Sequence, residues 1–291
     1  MNSGFILIPV HNRRAFTLGC LAVLRANGDL ADCSVIVVDD GSSDGTGEAV
    51  IAEFPEVIVM KGDGTLFWTG AIRLAMQAAA ARGPGPFFWL NDDCRPRPGA
   101  LRALRLFLEK NPAALAGPRC VDAATGGAVP TGFVGRRTFA PAAGEMRAVQ
   151  GLSGFCVGVG AAAAARIGPP DAEKFPHYGG DTAYTLRAGR AGCPVLLLGD
   201  AVVELIDHAG GARGLRAQVQ PEKSLAENWR KIFAATASPY RLRTLFALLR
   251  LKYGPLTGSA LAAGRAASWM AQLGWTVFRG PVRDCKIGRR A

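Results

Sequence analysis

Four short runs in the first ninety residues are apolar along nearly their whole length rather than at alternate positions. This restricts the fold more than any other feature of the chain. Phe5–Val10 (FILIPV), Ser34–Asp39 (SVIVVD), Val57–Met60 (VIVM) and Phe87–Leu90 (FFWL) each read as a strand covered on both faces. Between them lie stretches with helical spacing, Arg14–Ala26, Thr46–Phe54 and Ala71–Arg82. Strand–helix–strand alternation of this kind predicts an α/β, Rossmann-like domain: a mostly parallel sheet flanked by helices. Ligands of such sheets bind outside the carboxyl ends of the strands. The polar clusters His11-Asn12-Arg13, Asp39-Asp40-Gly41-Ser42 and Asn91-Asp92-Asp93 all fall at those ends.

Further along, Pro98–Lys110 reads as a helix opened by proline, and residues 117–150, rich in Gly, Pro and Ala, as hairpins and loops. Gly151–Gly160 reads as a Gly-rich strand, a place where a ligand or another backbone can approach closely. Asp181–Ala191 reads as a helix, and Val195–Leu198 and Ala201–Ile206 as two strands. From Pro221 onward the pattern becomes helical, so residues 1–220 are expected to form the α/β domain and residues 221–291 a helical extension.

Charge divides the chain in the same way. Residues 1–221 hold 21 Lys/Arg against 20 Asp/Glu, whereas residues 222–291 hold 13 against 3. Nearly all of the net charge of +11 therefore sits on the extension, which points to an anionic partner. There, Leu242, Leu245, Phe246 and Leu249 recur at helical spacing among Arg241, Arg243, Arg250 and Lys252, a pattern suited to the surface of an anionic membrane. Residues 253–278 are too poorly hydrophobic for a span. The seven cysteines form no CxxC pair, which argues against a disulfide framework or a zinc knuckle and for a reducing compartment. The N-terminus has no basic region and only a short apolar run, so the catalytic part is expected in the cytoplasm, peripheral on the membrane face.

The chemistry concentrates in three segments. In VVDDGSSDGT (37–46), a strand ends in Asp39 and Asp40, whose carboxylates can accept hydrogen bonds from a base N–H or a ribose hydroxyl; Asp44 can cap the helix that follows. In FFWLNDDCRPRPGAL (87–101), carboxylates at a strand tip suit a hard divalent cation that bridges to substrate phosphates, Mn²⁺ or Mg²⁺. In FPHYGGDTAYTLRAGRAG (175–192), Asp181 follows two glycines at a helix start, where it serves either as an N-cap or as a base.

With PVHNR near the N-terminus, VVDDGSSDGT, LNDD and the late Gly-Asp helix start in this order, the chain resembles glycosyltransferase family 2 over about residues 4–210. That family consists of inverting enzymes with the GT-A fold, and the chain resembles in form its members that build rhamnose-containing or related surface polysaccharides. The resemblance implies a donor that is a UDP- or dTDP-linked sugar and an acceptor that is a saccharide or lipid-linked saccharide. It implies Asp93 as metal ligand, with Asn91 or Asp92 near ribose or diphosphate, and Asn91 departs from the family's Asp-x-Asp form. It places Pro9, Val10, His11, Asn12, Asp39 and Asp40 around the nucleotide. It brings GDGTLFWTGAIRLAM (62–76) across the donor, so that Trp68, Thr69 and Gly70 offer backbone N–H groups to phosphate and Arg73 reaches the diphosphate. Asp181 becomes the base, although the family's Glu-Asp reads Gly180-Asp181 here, with His177, Tyr178 and Gly180 toward the acceptor. His208 becomes a second metal ligand.

Three other readings compete. A nucleotidyltransferase needs a Gly-rich N-terminal loop, which PVHNRR lacks. A catalytically degenerate GT-A-like binding module at a membrane surface would explain the missing first acid of both motifs. Nucleic-acid binding through the tail has Trp229, Trp269 and Trp275 but no recognisable motif, and is not expected.

Overall fold

Strand β1 (Phe5–Val10) turns Ile6, Ile8 and Val10 to one apolar core and Phe5 and Leu7 to another. In β2 (Ser34–Asp39), Val35 and Val37 join the first core and Ile36 and Val38 the second. Side chains alternate across a strand, so a strand covered on both faces must be apolar at successive positions. Helix α1 (Arg14–Ala26) covers the first face through Cys20, Leu21 and Leu24. The short α2 (Asp29–Asp32) leads into β2, and α3 (Thr46–Glu53) adds Val50 to the same face. After β3 (Ile58–Lys61), α4 (Phe67–Ala80) covers the opposite face with Ala71, Ile72, Ala75 and Met76. Strand β4 (Phe87–Leu90) follows, splitting Phe88 and Leu90 from Phe87 and Trp89. The strands β3-β2-β1-β4 are all parallel.

The structure, a computed structural model, describes residues 4–207 and 214–279. Beyond β4 come β5 (Cys94–Pro96), α5 (Ala100–Lys110), β6 (Leu115–Asp122), β7 (Ala128–Val129), β8 (Gly132–Val134), β9 (Arg137–Phe139), β10 (Met146–Ala148), β11 (Gly151–Leu152), β12 (Cys156–Val159), α6 (Ala161–Ile167), α7 (Gly180–Arg190) and β13 (Val195–Leu205). The main sheet runs β10-β13-β6-β12-β4-β1-β2-β3, with β12 antiparallel to both neighbours and β13 parallel to β6. A separate small sheet runs β11-β8-β9.

Three of the expected elements take a different form. The Gly-rich run 151–160 splits between the two sheets: Gly151 pairs with Phe133 in the small one, where a Cβ would strike the Phe133 ring, and the chain breaks at Gly154 before Cys156 enters the large one. The two strands expected near residue 200 are one strand, β13, with an irregularity between Leu198 and Val202. Gly199 makes this possible, because a side chain there would collide with the Ala142 carbonyl. Helix α4 begins at Phe67 rather than at Ala71, because a distant carboxylate, that of Asp40, caps its first turn.

The chain divides into two compact units, residues 1–209 and 210–291. The expected boundary at 220/221 followed the change to a helical pattern; α8 (Leu215–Gln218) lies before it and gives Leu215 to the core of the second unit. That unit also contains α9 (Leu225–Trp229), opened by a Ser224/Glu227 capping box, a π-helical turn over Arg230–Ala234, α10 (Leu242–Tyr253) and α11 (Pro255–Arg279). Ile232, Phe233 and Leu273 complete its core. Among the described residues, no helix is long and apolar enough to cross a membrane.

Candidate active site

A cavity of about 320 Å³ opens at the carboxyl ends of β1, β2 and β4. Pro9, Val10, His11 and Arg13 line it from β1, Asp40 from β2, and Asn91, Asp92 and Asp93 from β4; Gly64, Phe67, Trp68 and His177 close it. The size suits a small-molecule site.

The two aspartates after β2 are committed to backbone. Asp39 is buried and accepts from the Ser42 N–H at 2.9 Å, which fixes the turn; it does not line the cavity. Asp40 accepts from Gly64 N–H (2.9 Å), Leu66 N–H (3.2 Å) and Phe67 N–H (2.8 Å). A carboxylate receiving the free N–H groups of a first turn is a helix cap, so Asp40 shapes the wall by holding the loop and α4. Phe67, in that turn, has a left-handed φ of 52°, an uncommon conformation for a bulky residue. Asn12, also left-handed at φ 53°, is exposed and accepts from the Ser43 N–H at 2.7 Å. The His11 Nδ1 lies 2.7 Å from the Asp40 carbonyl oxygen. Asp44 accepts from the N–H groups of both Arg14 (3.1 Å) and Thr46 (3.0 Å), serving the starts of α1 and α3 together.

The aspartates after β4 face a side chain instead. Arg13 donates Nε to Asp92 at 2.8 Å and Nη2 to Asp93 at 3.2 Å, and its Nη1 stands 3.9 Å from Asp207. Burial pushes the Asp92 carboxyl up to about 6, against the opposing pull of Arg13. Burial raises Asp93 as well. Asn91 accepts from the Trp68 indole N–H at 2.9 Å, tying the tip of β4 to α4.

The oxygen-rich set Asp92, Asp93 and Asp207 has the chemistry of a hard-cation site. Among the described residues, though, no three side chains of the ligating kinds are arranged to hold an ion. An ion at this set would need further oxygen ligands, such as those of a bound phosphate. His208, expected as a ligand, lies outside the described residues.

Asp181 stands at the start of α7. Its Oδ2 accepts from the Gly154 N–H at 2.6 Å, and burial raises its pKa. A Cβ on Gly154 would sit 2.7 Å from the Asp181 Cβ and 3.0 Å from the Trp68 ring, so Asp181 and the cavity wall meet across one glycine. Gly180 is buried, and a side chain there would collide with the Thr69 hydroxyl, which accounts for glycine beside the aspartate. The Thr69 N–H donates to the Pro176 carbonyl at 3.0 Å, binding α4 to the loop before α7, while its buried hydroxyl has no partner among the described residues. Gly70 is buried in the first turn of α4. His177 packs on Phe67 and on the half-exposed Tyr178, and burial lowers its pKa; its Nδ1 is buried without a partner among the described residues.

Arg73 is exposed on α4 and does not line the cavity. The guanidinium that does is Arg13, to which sequence reasoning gave no role. Its place in the same cluster as His11 and Asn12 was the available signal.

The sequence profile of Glycosyl transferase family 2 matches residues 5–164, more than half of the chain, and the chain belongs to that family. The fold is the GT-A α/β fold. S. aureus TarS 1–349 in complex with UDP-GlcNAc matches at TM-score 0.59 and 14% identity, over 97% of this chain and 93% of that one. The mannosyltransferase PcManGT from Pyrobaculum calidifontis, in complex with GDP-Man and Mn²⁺, matches at TM-score 0.55 and 14% identity, over 96% and 76%. GalNAc-T7 with UDP, GalNAc and Mn²⁺ matches at TM-score 0.59 and 12% identity over 96% of this chain, which spans only 58% of the GalNAc-T7 chain. At these identities the likeness is one of fold. No curated protein matches the sequence.

Proposed function

We propose that this protein transfers a sugar from a UDP- or dTDP-linked donor to a hydroxyl of a saccharide or lipid-linked saccharide, with inversion, in cell-surface polysaccharide synthesis. The observation that carries the proposal is that Asp92 and Asp93 line the cavity together with Trp68, whose ring lies 3.0 Å from where a Cβ on Gly154 would sit, and that the Gly154 N–H holds Asp181 just beyond that lining. The acceptor oxygen attacks the anomeric carbon from the face opposite the nucleotide, and the bond to the diphosphate oxygen breaks. Asp181 takes the acceptor's proton, and burial, which raises its affinity for that proton, suits it to the task. His177 and Tyr178 flank the acceptor side, and Asp40 holds the wall against the base. A divalent cation, Mn²⁺ or Mg²⁺, at Asp93 supplies positive charge to the leaving diphosphate.

The test is calorimetric titration with UDP and dTDP, with and without Mn²⁺, on the native chain and on Asp93→Ala. Metal-dependent binding that Asp93→Ala abolishes supports the donor site. Absence of binding to either nucleotide favours a degenerate binding module.

The basic second unit is proposed to dock on an anionic membrane, placing the enzyme on the cytoplasmic face near a lipid-linked acceptor. Support comes from α11 more than from α10. Leu242 of α10 packs against the unit's own core, whereas Leu256 (86%) and Phe278 (85%) of α11 are almost fully exposed, with Met270 and Trp275 also outward. Exposed apolar side chains in a chain segment carrying 13 Lys/Arg against 3 Asp/Glu fit an anionic interface. Replacing Leu256, Trp275 and Phe278 by Ser is expected to release the protein from anionic vesicles in a sedimentation assay; unchanged sedimentation defeats the idea.

A further inference from the structure

The acidic pair at the end of β4 already faces a cation of the chain itself, the Arg13 guanidinium. Side-chain exposure is 5% for Asp92 and 15% for Asp93. The Arg13 fork spans both, at 2.8 and 3.2 Å, with its guanidinium over the Phe16 ring, 4.4 Å from the centroid. The second oxygen of Asp92 accepts from the Thr17 hydroxyl at 3.1 Å. Both Asp92 oxygens are therefore engaged, whereas Asp93 Oδ1 has, among the described residues, only the Cys94 thiol, at 3.9 Å. Arg13 also lines the cavity.

We propose that Arg13 is a resident counter-cation. It holds Asp92 and Asp93 while the donor is absent, keeps a divalent ion off the pair, and turns to the diphosphate when the nucleotide brings the ion in. This rests on the nucleotide-sugar reading above.

Arg13 and a divalent ion compete for the same oxygens. A divalent ion of this kind needs several oxygen ligands, and the pair can spare Asp93 Oδ1 but little more while Arg13 is in place. Phosphate oxygens supply the missing ligands, so ion and nucleotide bind together, each raising the affinity of the other by the same factor. The displaced guanidinium then meets a phosphate, which suits its planar fork as well as a carboxylate does. Asp92, buried and bonded to Thr17, acts as a positioning residue for Arg13.

The test is calorimetric titration of Mn²⁺ alone, UDP alone and both together on the full chain, native, Arg13→Gln and Arg13→Lys, with thermal melting of each. The native chain is expected to bind Mn²⁺ at least about tenfold more weakly alone than with saturating UDP. In Arg13→Gln, Mn²⁺ alone tightens about tenfold, and UDP in the presence of Mn²⁺ weakens about tenfold, the scale of one charged hydrogen bond. Should Arg13→Gln fail to fold, Arg13→Lys carries the test: a single ammonium cannot span both carboxylates, so Mn²⁺ alone tightens about threefold. Unchanged Mn²⁺ affinity in the folded variant, with nucleotide binding intact, overturns the counter-cation role alone. No UDP or dTDP binding to the native chain, with or without Mn²⁺, overturns the donor-site reading and this role with it.

Discussion

Two strands of one sheet end in paired aspartates, and the pairs are held in opposite ways. At β2, Asp39 and Asp40 accept from four backbone N–H groups, those of Ser42, Gly64, Leu66 and Phe67. At β4, Asp92 and Asp93 are held by side chains, the Arg13 guanidinium and the Thr17 hydroxyl. Backbone amides in a folded loop cannot leave their acceptor without unfolding the loop, whereas a guanidinium exchanges partners by rotating its side chain. The first pair therefore builds the wall of the cavity, and the second can take part in binding. The same two letters at the same place on a strand do different work because different neighbours reach them.

Asp181 lies outside both pairs and sets the upper scale of effect. Asp181→Asn is expected to lower turnover by about 10²–10⁴-fold while nucleotide affinity stays as in the native chain; loss of binding instead would mean that Asp181 belongs with the donor pocket. The comparison itself is tested by Asp40→Ala against Asp93→Ala in urea unfolding. Asp40→Ala strands three N–H groups and should cost about 2–4 kcal/mol, whereas Asp93→Ala should lose metal-dependent nucleotide binding with little change in midpoint. If Asp40→Ala is as stable as the native protein, the contrast between a fixed and an exchangeable pair collapses. A smaller effect is expected at the joint between α4 and α7. Gly180→Ala pushes against Thr69 and should cost about 1–3 kcal/mol, and Thr69→Ala should restore most of it in a double-mutant cycle. Independent, additive costs would show that the two helices do not meet as described.

The smallest effect is in pH dependence. Burial favours the protonated Asp181 and outweighs the Gly154 N–H, so the proton leaves above the ordinary carboxylate value of 3.8. A base works only when deprotonated, so kcat/KM should fall as the pH drops through a midpoint above that value. Asp181→Asn should show no such limb. An acid limb at or below the ordinary value would mean that Asp181 is solvated during catalysis.

Much of the fold was legible along the chain. Strands β1 and β2 and helix α1 have the boundaries that apolar runs and helical spacing predict, because burial on two faces or one leaves a period in the residues themselves. The polar strand ends pointed to the cavity for the same reason: a parallel sheet exposes its carboxyl edge. The family was legible as well: its profile matches residues 5–164, which hold PVHNR, VVDDGSSDGT and LNDD, while Gly180-Asp181 lies beyond the match. What the chain alone left open were partners distant in sequence. Arg13 and Asp92 are 79 residues apart, and Trp68 and Asn91 23 apart. That Asp40 serves the amides of α4, that Gly154 separates Asp181 from Trp68, and that Arg13 rather than Arg73 faces the cavity were decided only when the strands lay side by side. Periodicity records how much water a position loses on folding; which charge or amide then stands opposite it depends on the register and packing of the whole sheet.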